Sequence, residues 1–342
     1  MTAPLLELRD LRVDLARTGR RGAARSIVAG VDLTVARGEV VGLVGESGSG
    51  KSMTLRAILR LLPRGARIGG ELRFEGESVP ALRGSALRAY RSHGVSMIHQ
   101  DPRAATNPVR TIGDFLVEGA RRGGDADRAS IGARAEALLR EVGIPDPERR
   151  MRQYPHELSG GLLQRVMIVM ALLPNPSLIL ADEPTTALDV TVQSEVMAIL
   201  MEQVRSRGLG LVFVTHDLDL AAAVTDSISV MYAGRVVESG SSDAVSAHPA
   251  HPYTAGLLAS RPRLDRVERL TAIPGRPIAA FEAGPGCPFA PRCGFATEEC
   301  RTVPPELREL RVLRKPGGLG GEQVACHHAE TLRGSRSIGA TA

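Results

Sequence analysis

Gly45-Glu46-Ser47-Gly48-Ser49-Gly50-Lys51-Ser52 spaces its glycines, lysine and hydroxyl as G-x-x-x-x-G-K-[ST]. Glycines so placed let backbone N–H groups close around phosphate oxygens at a helix N-terminus, whose dipole favours negative charge. Lys51 would reach the β- and γ-phosphates, and the Ser52 hydroxyl would ligate Mg²⁺. The choice of cation supports this. The chain has 43 Lys and Arg residues, yet Lys occurs only at Lys51 and Lys315. A chain with that bias should keep Lys where a compact ammonium fits and a planar guanidinium does not.

Two further stretches offer related chemistry. "SLILADEP" is an apolar strand ending in two acids. Asp182 suits a contact to Mg²⁺, and Glu183 suits a general base polarising the water that attacks a γ-phosphate. "ELSGGLLQR" places Ser159-Gly160-Gly161 at the start of a helical run, a second exposed helix N-terminus able to meet phosphate. Two such surfaces and one nucleotide make sense if the second serves a neighbour's nucleotide. A third cluster lies far down the chain. All four cysteines, Cys287, Cys293, Cys300 and Cys326, follow C-x5-C-x6-C-x25-C, with none in the first 286 residues. Four thiolates can hold tetrahedral Zn²⁺ or an iron–sulfur cluster. Structural zinc favours tight pairs, and these arcs are wider.

The elements that must position these residues read as follows. The chain is β-rich to about residue 76, with the phosphate loop between a buried strand and a helix ended by Pro63. A mostly helical insertion covers about 100–175, with segment 119–130 expected as a solvated loop. Strand–helix alternation then returns through "SLILAD", "VTVQSEVMAILMEQVRS", "LVFVTH" and "SISVMY", and "YAGRVVESG" predicts a hairpin turning at Gly234. This is an α/β fold: a parallel core, an N-terminal antiparallel β part and an inserted helical subdomain. A change to Pro-, Gly- and Cys-rich texture places a boundary near residue 261, giving domains 1–260 and 261–342. The apolar fraction is 43% and the net charge +5. The charge alone does not separate a solvated surface from an anionic partner. Neither a secretory leader nor an apolar run of about 18 residues is found, so a chain without a membrane span in a reducing compartment is expected.

In order, GESGSGKS, Gln100 in "MIHQDP", LSGG, LILADE, "ALD" at 187–189 and His216 in "VFVTHD" resemble the motif series of an ABC-type ATPase with a RecA-like core. The resemblance covers about residues 5–260. It implies a head-to-tail dimer sandwiching two ATP molecules, each site built from one subunit's phosphate loop and the other's Ser159–Gly161. It also implies that Gln100 senses Mg²⁺ and the attacking water, that Asp189 reaches across the dimer, and that His216 contacts the γ-phosphate. Three departures stand out. No aromatic precedes Phe74 to stack on adenine, which leaves Val28 or Arg17 as a rest. His99 stands where Phe is usual in the family, and Leu162-Leu163 follows LSGG.

"DPRAATNPVRTIGDFLVE", "DEPTTALDVTVQ", "HPAHPYTAGLLAS", "IPGRP" and the CPFAPRC…C…VACH tail are similar to the ATPases of oligopeptide/dipeptide importers, a group that includes nickel importers. That resemblance implies ATP-driven import of peptides at the cytoplasmic face of a membrane. The partners it implies are a second ATPase, usually a different chain, two permeases, and an extracytoplasmic peptide-binding protein. It also implies a [4Fe–4S] cluster on the four cysteines; zinc is the alternative the residues leave open, and His327, beside Cys326, is either a substitute ligand or a residue that orients one. The rival is a nucleic-acid ATPase of the DNA-repair type with a metal-binding tail. A single engine, no sustained heptads and no interleaved aromatics for bases argue against it, so nucleic acid is not expected.

Overall fold

The computed structural model describes residues 3–16, 24–121, 127–186, 188–260, 272–310 and 321–334. The chain divides into two compact units that interleave in sequence: 1–5, 35–39 and 74–214 in the first, and 6–34, 40–73 and 215–342 in the second. The boundary expected near 261 falls on residues 261–271, outside the described residues.

In the first unit the apolar runs at Val95–Ile98, Leu178–Asp182 and Gly210–Thr215 form parallel strands, with Val95 opposite Leu178 and Asp182 opposite Val214. Every residue of the last two strands is buried, as parallel strands covered on both faces require. Helices fill the segment between the first two strands: Ile112–Arg121, Arg128–Glu141, Pro147–Arg152 and Gly160–Leu172 are the longest. The expected loop over 119–130 is shorter than its composition suggested. Helix runs to Arg121 and resumes at Arg128, because the Asp127 carboxylate accepts from the Ala129 and Ser130 N–H groups and starts a new helix.

In the second unit Val40–Val44, fully buried, pairs parallel with Ser227–Tyr232. A two-residue turn then leads into the antiparallel strand Arg235–Ser241. Ala233 at φ 46° and Gly234 at φ 76° give that turn two left-handed residues, the geometry that matches strand twist in tight hairpins. The hairpin expected at Gly234 is therefore present. Gln323–Val324 adds to the far edge of Arg235–Ser241 and carries Arg308–Glu309 beside it. A separate sheet places Arg25–Val35, Leu6–Leu15 and Arg67–Phe74 side by side in that order.

The cysteine-bearing tail shares its apolar contacts with this second unit. Phe289 packs edge-on against Tyr232 at 5.3 Å and beside Tyr253 at 5.4 Å, while Cys326, Ala329 and Leu332 pack with Ala250 and Ala255. These contacts bury apolar surface that helps to hold the tail to this unit.

Candidate functional site

The phosphate loop follows the buried strand Val40–Val44 and ends in the helix Lys51–Ile58. Gly50 caps that helix at φ 105°, a backbone conformation that a side chain would strain. Gly45 is required for a different reason: a Cβ there would lie 2.2 Å from the Met231 carbonyl oxygen. Lys51 is 5% exposed, and its ammonium donates to the Gly45 and Glu46 carbonyls at 2.6 and 3.0 Å. The loop is thus wrapped around its own cation. The Ser49 hydroxyl is buried and has no hydrogen-bond partner among the described residues, a cost that a phosphate oxygen would relieve. Gly48 has open space where a Cβ would sit. The Ser52 hydroxyl, expected on Mg²⁺, lies in the first turn of the same helix. His216, exposed after the strand Gly210–Thr215, lines one open groove with Glu46 and Ser47.

In the first unit the acids stand where the strand ends. Asp182 is its last residue and is 7% exposed. Glu183 follows at φ 45°, a left-handed conformation that non-glycine residues seldom adopt and that recurs at functional sites. Its backbone N–H donates to the Val214 carbonyl at 3.0 Å, which holds the residue in that conformation. The Glu183 carboxylate accepts from the Gln100 amide at 3.2 Å and from the Thr186 hydroxyl at 2.9 Å. The structure therefore brings Gln100 and Glu183 together. Thr186 was not singled out in the sequence; its spacing of three after Glu183 was the available signal.

Ser159 caps the helix Gly160–Leu172 by accepting from the Leu162 N–H, and Asp189 caps Val190–Ser206 by accepting from the Val192 N–H. These two helix starts pack closely: a Cβ on Gly161 would lie 2.6 Å from Val192 Cγ1, and one on Gly160 3.2 Å from Leu188 Cδ2. Only small residues let the helices approach this far. Ala187 and Arg17 lie outside the described residues. Val28 is fully buried and offers no face to a base.

All four cysteines line one small cavity of about 20 Å³, walled also by Phe289 and Phe295. The turn Cys287–Cys293 is closed by the Ala290 N–H donating to the Cys287 carbonyl, and the Cys287 N–H donates to the Cys300 carbonyl at 2.8 Å. Gly286 is needed at that crossing, since a Cβ would sit 2.4 Å from the Cys300 oxygen. Burial pushes the Cys293 thiol up to about 11 and that of Cys326 to about 12, and raises Cys287 as well. Such thiols are neutral without a bound cation. None of the four is in a disulfide. Among the described residues no group of three or more His, Cys, Asp or Glu is drawn tightly enough for one metal ion. His327 turns its ring to the Val303 carbonyl at 3.0 Å. Its neighbour His328, not singled out in the sequence, is the ring that reaches Cys300, at 3.5 Å.

A glycine loop wrapping a buried lysine, and a parallel strand ending in paired acids, define a P-loop nucleotide-binding α/β protein. A family description for ABC transporters matches residues 28–186, and one for the C-terminal region of oligopeptide/dipeptide transporters matches residues 237–300. The oligopeptide transport ATP-binding protein OppD of Haemophilus influenzae is 42% identical over 302 residues, covering 88% of this chain and 93% of that protein. OppD of Mycobacterium tuberculosis is 44% identical over 339 residues, covering 97% of this chain and 53% of its own length. Among solved structures, a dimeric ATP-binding cassette bound to ADP and phosphate is 27% identical, with a TM-score of 0.59 over 69% of this chain and 98% of that one. The chain belongs to the ATP-binding proteins of ABC transporters, in the oligopeptide/dipeptide group.

Proposed function

We propose that this chain hydrolyses ATP to energise import of peptides through a membrane transporter. The observation that carries the reading is the phosphate loop, with the Lys51 ammonium held on its own carbonyls and the Ser49 hydroxyl buried and unpartnered. Gly45 to Ser52 bind the phosphates of ATP, with Ser52, Gln100 and Asp182 as the residues that would hold Mg²⁺. When bound, Mg²⁺ neutralises phosphate charge and helps align the γ-phosphoryl group. Glu183 takes a proton from the attacking water, and Gln100 and Thr186 fix the direction of its carboxylate. His216 steadies the γ-phosphate side. The Ser159–Gly161 helix start and Asp189 serve the ATP of a second ATPase subunit in a nucleotide sandwich.

The chain works at the cytoplasmic face, beneath two permeases fed by an extracytoplasmic peptide-binding protein. Among the described residues no helix is long and apolar enough to cross a membrane, which suits an ATPase docked on separate spanning subunits. Co-purification from membranes tests this: two permease chains should accompany the protein, and ATP turnover should rise with loaded binding protein. Association with nucleic acid and no permease would favour the rival class.

The cysteine cavity takes a [4Fe–4S] cluster, with a single zinc as the alternative. Four thiols lining one cavity supply the ligand set. Burial that holds the thiols neutral also means that a cation must bind to make them thiolates. Anaerobically purified protein should be brown, absorb near ~400 nm and hold about four irons per chain. A colourless protein with one zinc selects the alternative.

A further inference from the structure

Glu46 is an acid inside a loop built to hold phosphates. Left to itself, its carboxylate would repel a triphosphate held in the same loop, since like charges this near are only partly screened at a protein surface. The structure manages this charge with residues from the far end of the sequence. The Arg292 guanidinium makes a two-pronged ion pair with Glu46, Nη1 donating to Oε2 at 2.6 Å and Nη2 to Oε1 at 3.1 Å. The Arg292 side chain is 5% exposed and that of Glu46 24%. Arg292 is itself held from three sides. Its Nε donates to the Pro274 carbonyl at 2.8 Å, its Nη1 approaches the Tyr232 hydroxyl at 3.4 Å, and its guanidinium stands over the Tyr232 and Phe289 rings. The Glu46 backbone is tied as well, its N–H donating to the Tyr253 hydroxyl at 2.8 Å.

We propose that Arg292 is a positioning residue for nucleotide binding, neutralising Glu46 and holding its carboxylate away from the phosphate cradle. The proposal rests on the ATP-binding reading and adds a residue that no phosphate-loop pattern contains. It follows that the loop's electrostatics depend on the Cys287–Cys293 turn, because Arg292 sits on that turn one residue before Cys293. A partly buried pair of this kind contributes little net stability, but removing one member leaves the other charge uncompensated. The two single variants should therefore act on affinity in opposite directions. Removing Arg292 exposes the phosphates to a bare carboxylate, whereas removing Glu46 leaves a surplus cation beside them.

The test is direct binding of a non-hydrolysable ATP analogue with Mg²⁺ to the full-length protein, in variants whose melting curves show them folded. Arg292→Gln should weaken binding roughly ten-fold, the equivalent of about 1.4 kcal/mol. Glu46→Gln should bind more tightly than the parent, and Glu46→Gln/Arg292→Gln should return to within about three-fold of it. A purely structural tie would be lost in either single variant and not regained in the double. The proposal is overturned if Arg292→Gln leaves affinity unchanged, or if the double variant is as weak as Arg292→Gln. If Arg292→Gln does not fold, Glu46→Gln decides alone: binding no tighter than that of the parent overturns the proposal. Failure of the parent itself to bind would overturn the ATP-binding reading beneath it.

Discussion

The phosphate loop and the cysteine cavity belong to the same unit and prepare for their ligands in opposite ways. The loop is finished without one. Its lysine is satisfied by backbone carbonyls, its turns are set by Gly45 and Gly50, and one hydroxyl, Ser49, is left unpartnered. The cavity is tied by backbone hydrogen bonds, the Cys287 N–H to the Cys300 carbonyl among them, and by the His328 ring at Cys300. Its walls are Phe289 and Phe295, and burial holds the thiols of Cys287, Cys293 and Cys326 in their neutral form. A site that must bind and release at every turnover benefits from a cradle that costs nothing to form. If the cavity takes the cluster proposed for it, that group would complete the structure there.

Replacing the lysine should break the loop's half of that contrast most severely. Lys51→Arg cannot place a flat fork where a single ammonium nitrogen meets two carbonyl oxygens in a buried space. ATP turnover should fall by roughly a hundred-fold or more, as when one preorganised charge donor is lost from an active site. Turnover near that of the parent would mean that the loop is not preorganised around a point charge. The cavity's half is probed by Cys293→Ser. Metal content should fall, the absorbance near ~400 nm should vanish, and amides of 287–300 and 323–332 should exchange faster while those of 51–58 keep most of their protection. Equal loss of protection in both stretches would erase the distinction.

Much of this was legible in the sequence, and the reason differs by region. The phosphate loop could be read because its chemistry is local: eight consecutive residues carry the glycines, the cation and the hydroxyl. The strand ending in Asp182-Glu183 could be read because every one of its side chains is buried and the acids break the apolar run. The Arg292–Glu46 pair could not be read that way, since its members stand 246 positions apart and only the fold brings them together. Thr186 was hidden by type: a threonine three residues after an acid is a weak signal until its hydroxyl is found 2.9 Å from Glu183. His327 and His328 show the limit at its sharpest. They are adjacent, chemically identical and at the same distance from any motif, and only backbone direction decides that His328 meets Cys300.

Two smaller effects sharpen the comparison. Thr186→Val removes a donor that aims the Glu183 carboxylate, and should lower turnover about ten-fold with little change in ATP affinity. A loss in affinity instead would assign Thr186 to binding. In the cysteine region, His251 is 1% exposed and its Nδ1 accepts from the Tyr253 N–H at 3.0 Å. Burial holds this histidine down at about 3, against 6.5 for an exposed ring. Between those values the unfolded chain binds one more proton than the folded one. The His251 contribution is therefore fully present above pH 6.5 and is lost as pH falls toward 3, by at most about 1.4 kcal/mol per pH unit. His251→Gln should flatten the acid side of the stability profile; an unchanged slope would show that the ring already titrates in the folded state.

The role proposed for Glu183 is that of the base in ATP hydrolysis. It is tested most directly by ATP turnover of the assembled transporter carrying Glu183→Gln, measured alongside bound nucleotide. The amide keeps the contacts to Gln100 and Thr186 within reach and removes only the ability to take a proton. Turnover is expected to fall by about 10²- to 10⁴-fold while ATP accumulates on a stable ATPase dimer. Turnover equal to that of the parent, with no retained ATP, would contradict the account.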